Sequence, residues 1–480
     1  MKTYLFYDLE TTGLSHAFDQ ILQFAYIRTD LQLREIPGGS GALDIRLRSD
    51  VVPAPGAVLT NGISVDQAQG ADTCEFEAAR RLHSLVNEPG TISIGYNSLR
   101  FDDLFLRFTF YRNLLTPYTH QYQDGCGRAD LLPVAAFYWL FQRDALQWPR
   151  VNGRTSLRLD LLSEVNSLAR GQAHTAEGDV RATLALARRF RQASERLWDE
   201  CLGYFDGRTD QRRMDALPSI PVGMAYHLRG DLVDTRYGAA SGYRIPVLYL
   251  GEATRYGKRS VWLRLDDEAL AATTMDSLDQ ARTIRKKQGE PGFVLDTGTP
   301  GLPPLDMERQ RMVEANLAWL AQNPGILSSL ASHHCDYAYE EAMDLDLDAA
   351  LYQGGFLSDR EQASCQRFHR VGPKARGQML GSMPSPTTRQ LAVRVMGRNY
   401  PQHLPARYAA DFDAYLERVL APGAEPLLDH QGHKRTTPGA ARDQIEKRLE
   451  KGSLDAEQVA LLEGWVSYVQ GIMAPYHRLL

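Results

Sequence analysis

Tyr4-Leu5-Phe6-Tyr7-Asp8-Leu9-Glu10-Thr11-Thr12-Gly13 stands near the start of the chain. An apolar and aromatic run ending in Thr-Thr-Gly reads as a buried β-strand closed by a turn. Side chains alternate along a strand, so Asp8 and Glu10 point to one face at its carboxyl end. Two carboxylates side by side repel each other. A divalent cation relieves that repulsion, and carboxylate oxygen with water is the ligand set of Mg²⁺ or Mn²⁺. A strand-end acid pair is also ordinary turn chemistry, so the pair alone decides nothing about function.

Outward from this strand the pattern is α/β. Residues 21–27 form a second expected strand and 45–52 a third, with the glycine-rich stretch 37–41 read as turns between them. Residues 75–85 carry Phe76, Ala79, Leu82 and Val86 on one helical face. A short buried strand is expected at 91–96, and helices at 103–113, 131–141, 157–168 and 177–191. Strands first, then strands alternating with helices, imply a mixed sheet with helices packed on it. Near residue 195 the texture changes. Short strand-like runs at 245–250, 261–265 and 292–295, with turn signals between, imply a small β-rich unit. Helices follow at 305–332. The acidic stretch 339–348 reads as a linker or a solvated face. The remainder is mostly helical, with interruptions at 371–386 and 428–442.

Two further elements carry acids. In Gly95-Tyr96-Asn97-Ser98-Leu99-Arg100-Phe101-Asp102-Asp103 a buried strand runs into a polar turn and then a helix. Asp102 falls near the helix start, where a carboxylate is favourable; taken alone, it is a simple cap. In His174-Thr175-Ala176-Glu177-Gly178-Asp179 the acid lies in the first turns of an amphipathic helix marked by Val180, Leu184 and Ala187. His174 precedes that helix, where an imidazole is suited to general-base work. A lone histidine there is more often a surface or capping residue.

The three elements in this order resemble the DEDDh superfamily of 3′→5′ exonucleases, which has a ribonuclease-H-like fold. The resemblance assigns Asp8, Glu10, Asp102 and Asp179 to the metal site, Glu10 also to substrate binding, and His174 to the general base. None of the five positions departs from the pattern. Further stretches resemble the bacterial exodeoxyribonuclease I family: Gln23 to Asp30, Pro55 to Ile63, Phe110-Tyr111-Arg112-Asn113, Ser156 to Leu159, Gly355 to Asp359 and Arg398-Asn399-Tyr400-Pro401. The similarity covers nearly the whole chain and is weakest at 205–300 and 403–445.

That family implies an α/β ribonuclease-H-like exonuclease domain over 1–194, a small SH3-like β-rich domain over 195–345 and an α-helical C-terminal domain over 346–480, forming a C-shaped body around single-stranded DNA. It implies two Mg²⁺ ions, with Mn²⁺ as substitute, and 3′→5′ release of 5′-mononucleotides in DNA repair and recombination. It further implies a monomer whose partner is the acidic tail of single-stranded DNA-binding protein. Arg158 matches a family arginine that contacts DNA. Single-strand binding needs backbone contacts and stacking platforms. Arg107, Arg112, Tyr118, Tyr122 and Arg128 are the candidates, and the basic run 282–287 is a solvated loop or part of the DNA track.

Composition bounds the alternatives. The chain has 480 residues, enough for about three domains. Hydrophobic residues are 43% and charged residues 24%, which excludes a disordered chain. Five scattered cysteines without a CxxC pair argue against a disulfide scaffold or a cysteine-rich zinc site. No apolar run is long enough to span a membrane, and the N-terminus reads as a strand and not a signal peptide, so a cytoplasmic location is expected. The net charge of −5 is not that of a protein resident on duplex DNA, though local patches matter more than the sum. A compact DEDDh nuclease, such as an oligoribonuclease or proofreading subunit, is disfavoured by the length. A non-catalytic DNA-binding scaffold would be marked by lost motif acids, and all are present.

Overall fold

In the computed structural model, which describes residues 2–168, 175–255, 257–338 and 345–479, the opening stretch is the central strand of a five-stranded sheet. The strands are β1 (Thr3–Thr11), β2 (Ile21–Thr29), β3 (Glu35–Asp44), β4 (Thr91–Gly95) and β5 (Gly127–Asp130), in the order β3-β2-β1-β4-β5. β1, β2 and β3 form an antiparallel meander, while β4 runs parallel to β1 and β5 parallel to β4.

β1 is covered on both faces. Leu5, Tyr7 and Leu9 face the helices Glu75–Val86 and Asp102–Arg112 through Leu82, Val86, Phe105 and Leu106. Tyr4 and Phe6 face the helices Leu131–Phe141 and Ala176–Ala193 through Val134, Phe137, Val180 and Leu184. Burying each such side chain contributes about 1.5–3 kcal/mol. The period-two alternation then puts Asp8 and Glu10 on the second of these faces, the one crossed by the helix that carries Asp179.

The third strand differs from expectation. Residues 35–44 pair with β2, and 45–52 do not form a strand. Gly41, part of the stretch that read as turns, is needed in the sheet: a Cβ there would lie 3.1 Å from the Tyr26 ring opposite it.

After the small hairpin of β6 (Arg150–Val151) and β7 (Arg154–Thr155), a second, antiparallel sheet is built from β8 (Ser219–Val222), β9 (Ala225–Val233), β10 (Arg244–Glu252), β11 (Arg259–Arg264), β12 (Thr283–Lys287) and β13 (Phe293–Leu295). Its order is β12-β11-β10-β9-β13, with β8 paired to β9. The helices Met307–Gln322 and Pro324–Cys335 pack on one face through Val313, Leu320, Leu327 and Leu330. The break expected at 194 does not end the first core. Trp198, Cys201 and Tyr204 belong to it, and Phe293 of β13 stacks on Tyr204 at 4.7 Å.

The C-terminal helices pack on the first unit through Phe76, Phe108, Phe368, Leu391 and Met396. Beneath that contact lies a charged cluster sealed from water. Arg398 donates to Asp50 at 2.9 Å and to Asp348, and Arg48 meets both Asp50 and Glu75. Asp346, paired to Arg394 at 2.6 Å, and Asp348 both come from the run read as a solvated face. Both are buried, because their arginine partners sit on the helix Pro386–Asn399. The interruption expected at 371–386 contains the helix Pro373–Met379. All five cysteines are buried and free.

Candidate active site

β1 and β4 run side by side and end at different heights. The ladder between them stops at Phe6 and Ile94, so Asp8 stands beyond the end of β4, in the crevice at the strands' carboxyl ends. Glu10 follows at a register shift against β2. Beyond Gly95 the chain turns sharply toward β1. A Cβ on Gly95 would stand 3.2 Å from the Tyr7 carbonyl and 2.5 Å from the Ser98 Cβ, so only glycine fits. Asn97 adopts a left-handed conformation (φ +60°), and the helix Asp102–Arg112 begins directly after.

Asp130, at the end of β5, sets this turn. Its carboxylate accepts from the amides of Asn97 (2.8 Å), Leu99 (3.2 Å) and Leu132 (2.9 Å), the last capping the helix Leu131–Phe141. One buried side chain thus fixes both the approach to Asp102 and the neighbouring helix. From the other side, Thr175 caps the helix Ala176–Ala193 and Asp179 lies in its first turn.

Asp8, Glu10 and Asp179 each offer a carboxylate oxygen, all within 4.8 Å of one another. Asp102 is buried beside them. Burial raises the Asp8 carboxyl well above its usual range, and the charges of Asp102, Asp179 and Glu10 raise it further. Burial and then Asp179 push Glu10 up to about 8. Asp102 is raised mainly by burial, against its own backbone amide, with Asp130 and Glu10 adding to the rise. Among the described residues no arginine or lysine pairs with Asp8, Glu10 or Asp102. An all-oxygen donor set that repels itself, with no such partner at these three members, fits a hard divalent cation.

A cavity of about 700 Å³ opens over these acids, reaching Asp8 and Asp179 on one side and Arg100, Arg154, Arg158 and Arg236 on the other. Asp234 of the second unit holds Arg100 (2.8 Å) and Arg236 (2.7 Å) together. Arg158 pairs with Asp160 and remains 67% exposed, able to turn to a ligand. Its loop is pinned by the Tyr96 hydroxyl on the Leu157 carbonyl and by the Tyr243 hydroxyl on the Thr155 carbonyl, the latter at 2.7 Å. The site's wall is therefore shared between both sheets.

The sequence-predicted residues distribute unevenly. Asp8, Glu10, Asp102 and Asp179 converge, and Arg158 faces them. His174 lies outside the described residues. Arg112 is corrected: it is fully buried, donating to Glu75 at 2.7 Å, and offers nothing to a strand of DNA. Arg107 and Arg128 are drawn inward onto Asp103, the latter at 2.6 Å, with Arg128 also reaching Glu290. Tyr118 is half-buried under Arg107 and beside Phe356, while Tyr122 is 69% exposed. The basic run 282–287 is mostly β12 and not a loop, and its Lys286 is buried on Asp210 at 2.6 Å. Sequence reasoning missed Arg100, Arg154, Arg236 and Asp130. Arg100 sits inside the quoted Asn97-to-Asp102 motif, and Asp130 ends a strand just before a helix, a capping signal.

Comparison with known families follows this anatomy. A family model for exonucleases matches residues 5–187, and one for the exonuclease I C-terminal domain matches residues 345–472. Exodeoxyribonuclease I of Escherichia coli K12 is 28% identical across 98% of both chains. The chain belongs to the exodeoxyribonuclease I family. Other exodeoxyribonucleases I align over part of their length: that of Buchnera aphidicola (subsp. Baizongia pistaciae) is 35% identical over 52% of this chain and 50% of its own. That of Haemophilus influenzae is 33% identical over 41% of each. E. coli exonuclease I in complex with a dA16 oligonucleotide superimposes with a TM-score of 0.84 at 25% identity, covering 98% of this chain and all of that one. A zinc-bound form of the E. coli exonuclease I–single-stranded DNA complex gives 0.83 at 25% identity, covering 98% of this chain and 100% of that one. The exonuclease I fold thus spans both sheets and the helical region of this chain.

Proposed function

We propose that the chain hydrolyses single-stranded DNA from the 3′ end, releasing 5′-mononucleotides, with Asp8, Glu10, Asp102 and Asp179 holding two Mg²⁺ ions. The observation that carries this reading is the convergence of Asp8, Glu10 and Asp179 within 4.8 Å, with Asp8 and Asp179 lining a cavity walled by arginines. Bound there, the ions supply a water of lowered pKa and offset charge that builds on the phosphate.

The chain's own residues do the rest. Asp8 and Glu10, fixed by β1, and Asp179, fixed by its helix, set the spacing of the ligand oxygens. Asp102 is aimed by the turn that Asp130 clamps. His174, five residues before Asp179, takes the proton of the attacking water. Arg158, released from Asp160, pairs with a phosphate through its planar guanidinium. Arg100 and Arg236, steadied by Asp234, hold the strand beside it, and Glu10 also meets the terminal nucleotide. Tyr118 and Tyr122 remain candidates for stacking farther along the strand.

The family resemblance supports a monomer that works in the cytoplasm in repair and recombination and that meets the acidic tail of single-stranded DNA-binding protein. Among the described residues no helix is long and apolar enough to cross a membrane. We divide the chain into an exonuclease unit over 1–194, a β-rich unit over 195–345 and a helical unit over 346–480, the helix Glu195–Gly203 packing with the first.

The test is digestion of a 5′-labelled single strand with Mg²⁺, beside the matching duplex and an RNA strand. A ladder shortening from the 3′ end on single-stranded DNA, absent in EDTA and in Asp8→Ala, is expected. Preferential trimming of RNA, or no cleavage by well-folded protein, overturns the reading.

A further inference from the structure

The first sheet carries an irregularity beside the metal-site acids. Glu10 of β1 pairs with Gln23 of β2, but Thr11, the next residue, pairs with Ile21. Leu22 is left between them as a bulge. A bulge bends its strand and re-aims the side chains beside it. The direction of Glu10 therefore depends on whatever holds this bulge in place.

The turn from Thr12 to Gln20 holds it. The Thr12 amide donates to the Gln20 carbonyl at 2.9 Å, and the Gln20 amide donates to the Thr12 hydroxyl, also at 2.9 Å. That hydroxyl donates in turn to Oδ1 of Asp19 at 2.8 Å. One buried oxygen thus ties the two ends of the turn together. Accepting from an amide while donating to a carboxylate polarises the hydroxyl and strengthens both bonds. Oδ2 of Asp19 accepts from the Ser15 amide at 2.9 Å, and the Asp19 amide donates to the Ser15 carbonyl at 2.8 Å. The carboxylate occupies the space beside Gly13, where a Cβ would stand 2.4 Å from Oδ2. Gln20 is fixed by its side chain, which donates to the Arg46 carbonyl and accepts from the Arg48 amide, both at 2.8 Å. Asn61 donates to the Thr11 carbonyl at 3.1 Å.

Resting on the function proposed above, we propose that Asp19 is a positioning residue: through the Thr12 hydroxyl it locks the bulge and so fixes the Glu10 carboxylate at the metal site. Without that link the strand end is free to settle toward regular pairing of Thr11 with Leu22. Glu10 stands at the edge of the shift and loses its fixed direction. Groups that orient a metal ligand without touching the metal are worth about 10–100-fold in metal affinity or activity.

The experiment compares the full-length protein with Thr12→Val, Thr12→Ser and Asp19→Asn. Thr12→Val keeps the branched shape, changes no charge and deletes the link. Thr12→Ser restores the hydroxyl. Asp19→Asn keeps the shape but can accept at one atom only. Mn²⁺ affinity is measured by calorimetry without DNA, single-stranded DNA affinity in EDTA, and kcat and KM with Mg²⁺. Thr12→Val and Asp19→Asn are expected to bind Mn²⁺ about tenfold more weakly and to lose kcat by a similar factor, with KM and DNA affinity unchanged. Thr12→Ser is expected to recover most of both losses. Variants that melt at lower temperature yet bind Mn²⁺ as the wild type does overturn the proposal, since that is the mark of a purely structural role. Equal losses in Thr12→Ser and Thr12→Val also overturn it. The wild type separates the two readings: failure to digest any strand removes the exonuclease function, whereas digestion with unaltered Mn²⁺ affinity in the variants removes only the role of Asp19.

Discussion

Arg398 and Asp50 stand 348 residues apart in the chain, yet Nη2 of the arginine lies 2.9 Å from Oδ2 of the aspartate, and both side chains are closed off from water. Asp348 and the Tyr415 hydroxyl share the same guanidinium. Arg48 and Arg435 hold Asp50 from other directions. An ionic cluster of this kind adds little over apolar residues of equal shape, but removing one member strands a charge in the interior. Arg398→Ala is expected to destabilise the fold by about 3–5 kcal/mol in urea unfolding. A much smaller loss would mean that water enters the cluster.

Acid should attack the same junction. Burial alone would raise the Glu75 carboxyl, but Arg112 and Arg48 overcome it and hold it at about 2, against an ordinary 4.5. Asp50 is likewise held well below its usual range, burial being outweighed by Arg398, Arg48 and Arg435. Between those values the folded state binds fewer protons than the unfolded chain. The stabilisation is complete above pH 4.5 and is lost as pH falls toward 2. Urea midpoints taken through this window should fall steeply, and more gently in Glu75→Gln.

The acids of the active site respond in the opposite sense. Glu10 is raised from 4.5 to about 8, so the metal-free folded protein binds more protons than the unfolded chain across that range. In EDTA, its contribution makes stability decline as pH rises through the window. A divalent ion binds the ionised acids and displaces their protons, so the gap between melting temperatures with Mg²⁺ and with EDTA should widen as pH rises. Asp8→Asn removes one repelling charge and should melt higher than the wild type in EDTA at alkaline pH while losing turnover.

Asp130→Ala tests the clamp on the turn before Asp102. It removes the acceptor for Asn97, Leu99 and Leu132, and a charge that raises Asp102, while no hydrogen bond is described between Asp130 and the four metal-site acids. Misplacing Asp102 by about an ångström should lower kcat roughly 100-fold. Affinity for single-stranded DNA in EDTA should change much less, which separates positioning from loss of fold.

Asp234→Ala releases Arg100 and Arg236 from their shared carboxylate. Freed guanidiniums must be ordered again by each substrate, so KM should rise by about threefold to tenfold with little change in kcat. An unchanged KM would show that the two arginines do not meet the strand.

Much of the site was legible because its signals are local. Asp8 and Glu10 share a face by the alternation of one strand, and Asp179 follows from the helical spacing of Val180, Leu184 and Ala187. The helix Leu131–Phe141 begins and ends where its apolar run does. The failures have a common cause in partners distant along the chain. Arg112 read as a surface cation because Glu75 is 37 residues away, and Asp348 read as solvated because Arg398 is 50 residues away. β3 was missed because Gly41 answers to the Tyr26 ring on β2, not to a turn. Arg100 and Arg236 meet through Asp234, a relation that no window of sequence contains.

The charged cluster under the helical unit also has a consequence for biosynthesis. Asp50 leaves the ribosome long before Arg435, which lies 385 residues later. At about 5–20 residues per second, the interval is roughly 20–80 s. Asp8 and Glu10 are synthesised before that interval, and Asp102 and Asp179 early in it, yet Arg48 and Asp50 must wait for their final setting until Arg398 and Arg435 arrive. The nascent N-terminal portion alone therefore lacks the partners of Asp50, and the nuclease scaffold reaches its final packing only once Arg435 has been made.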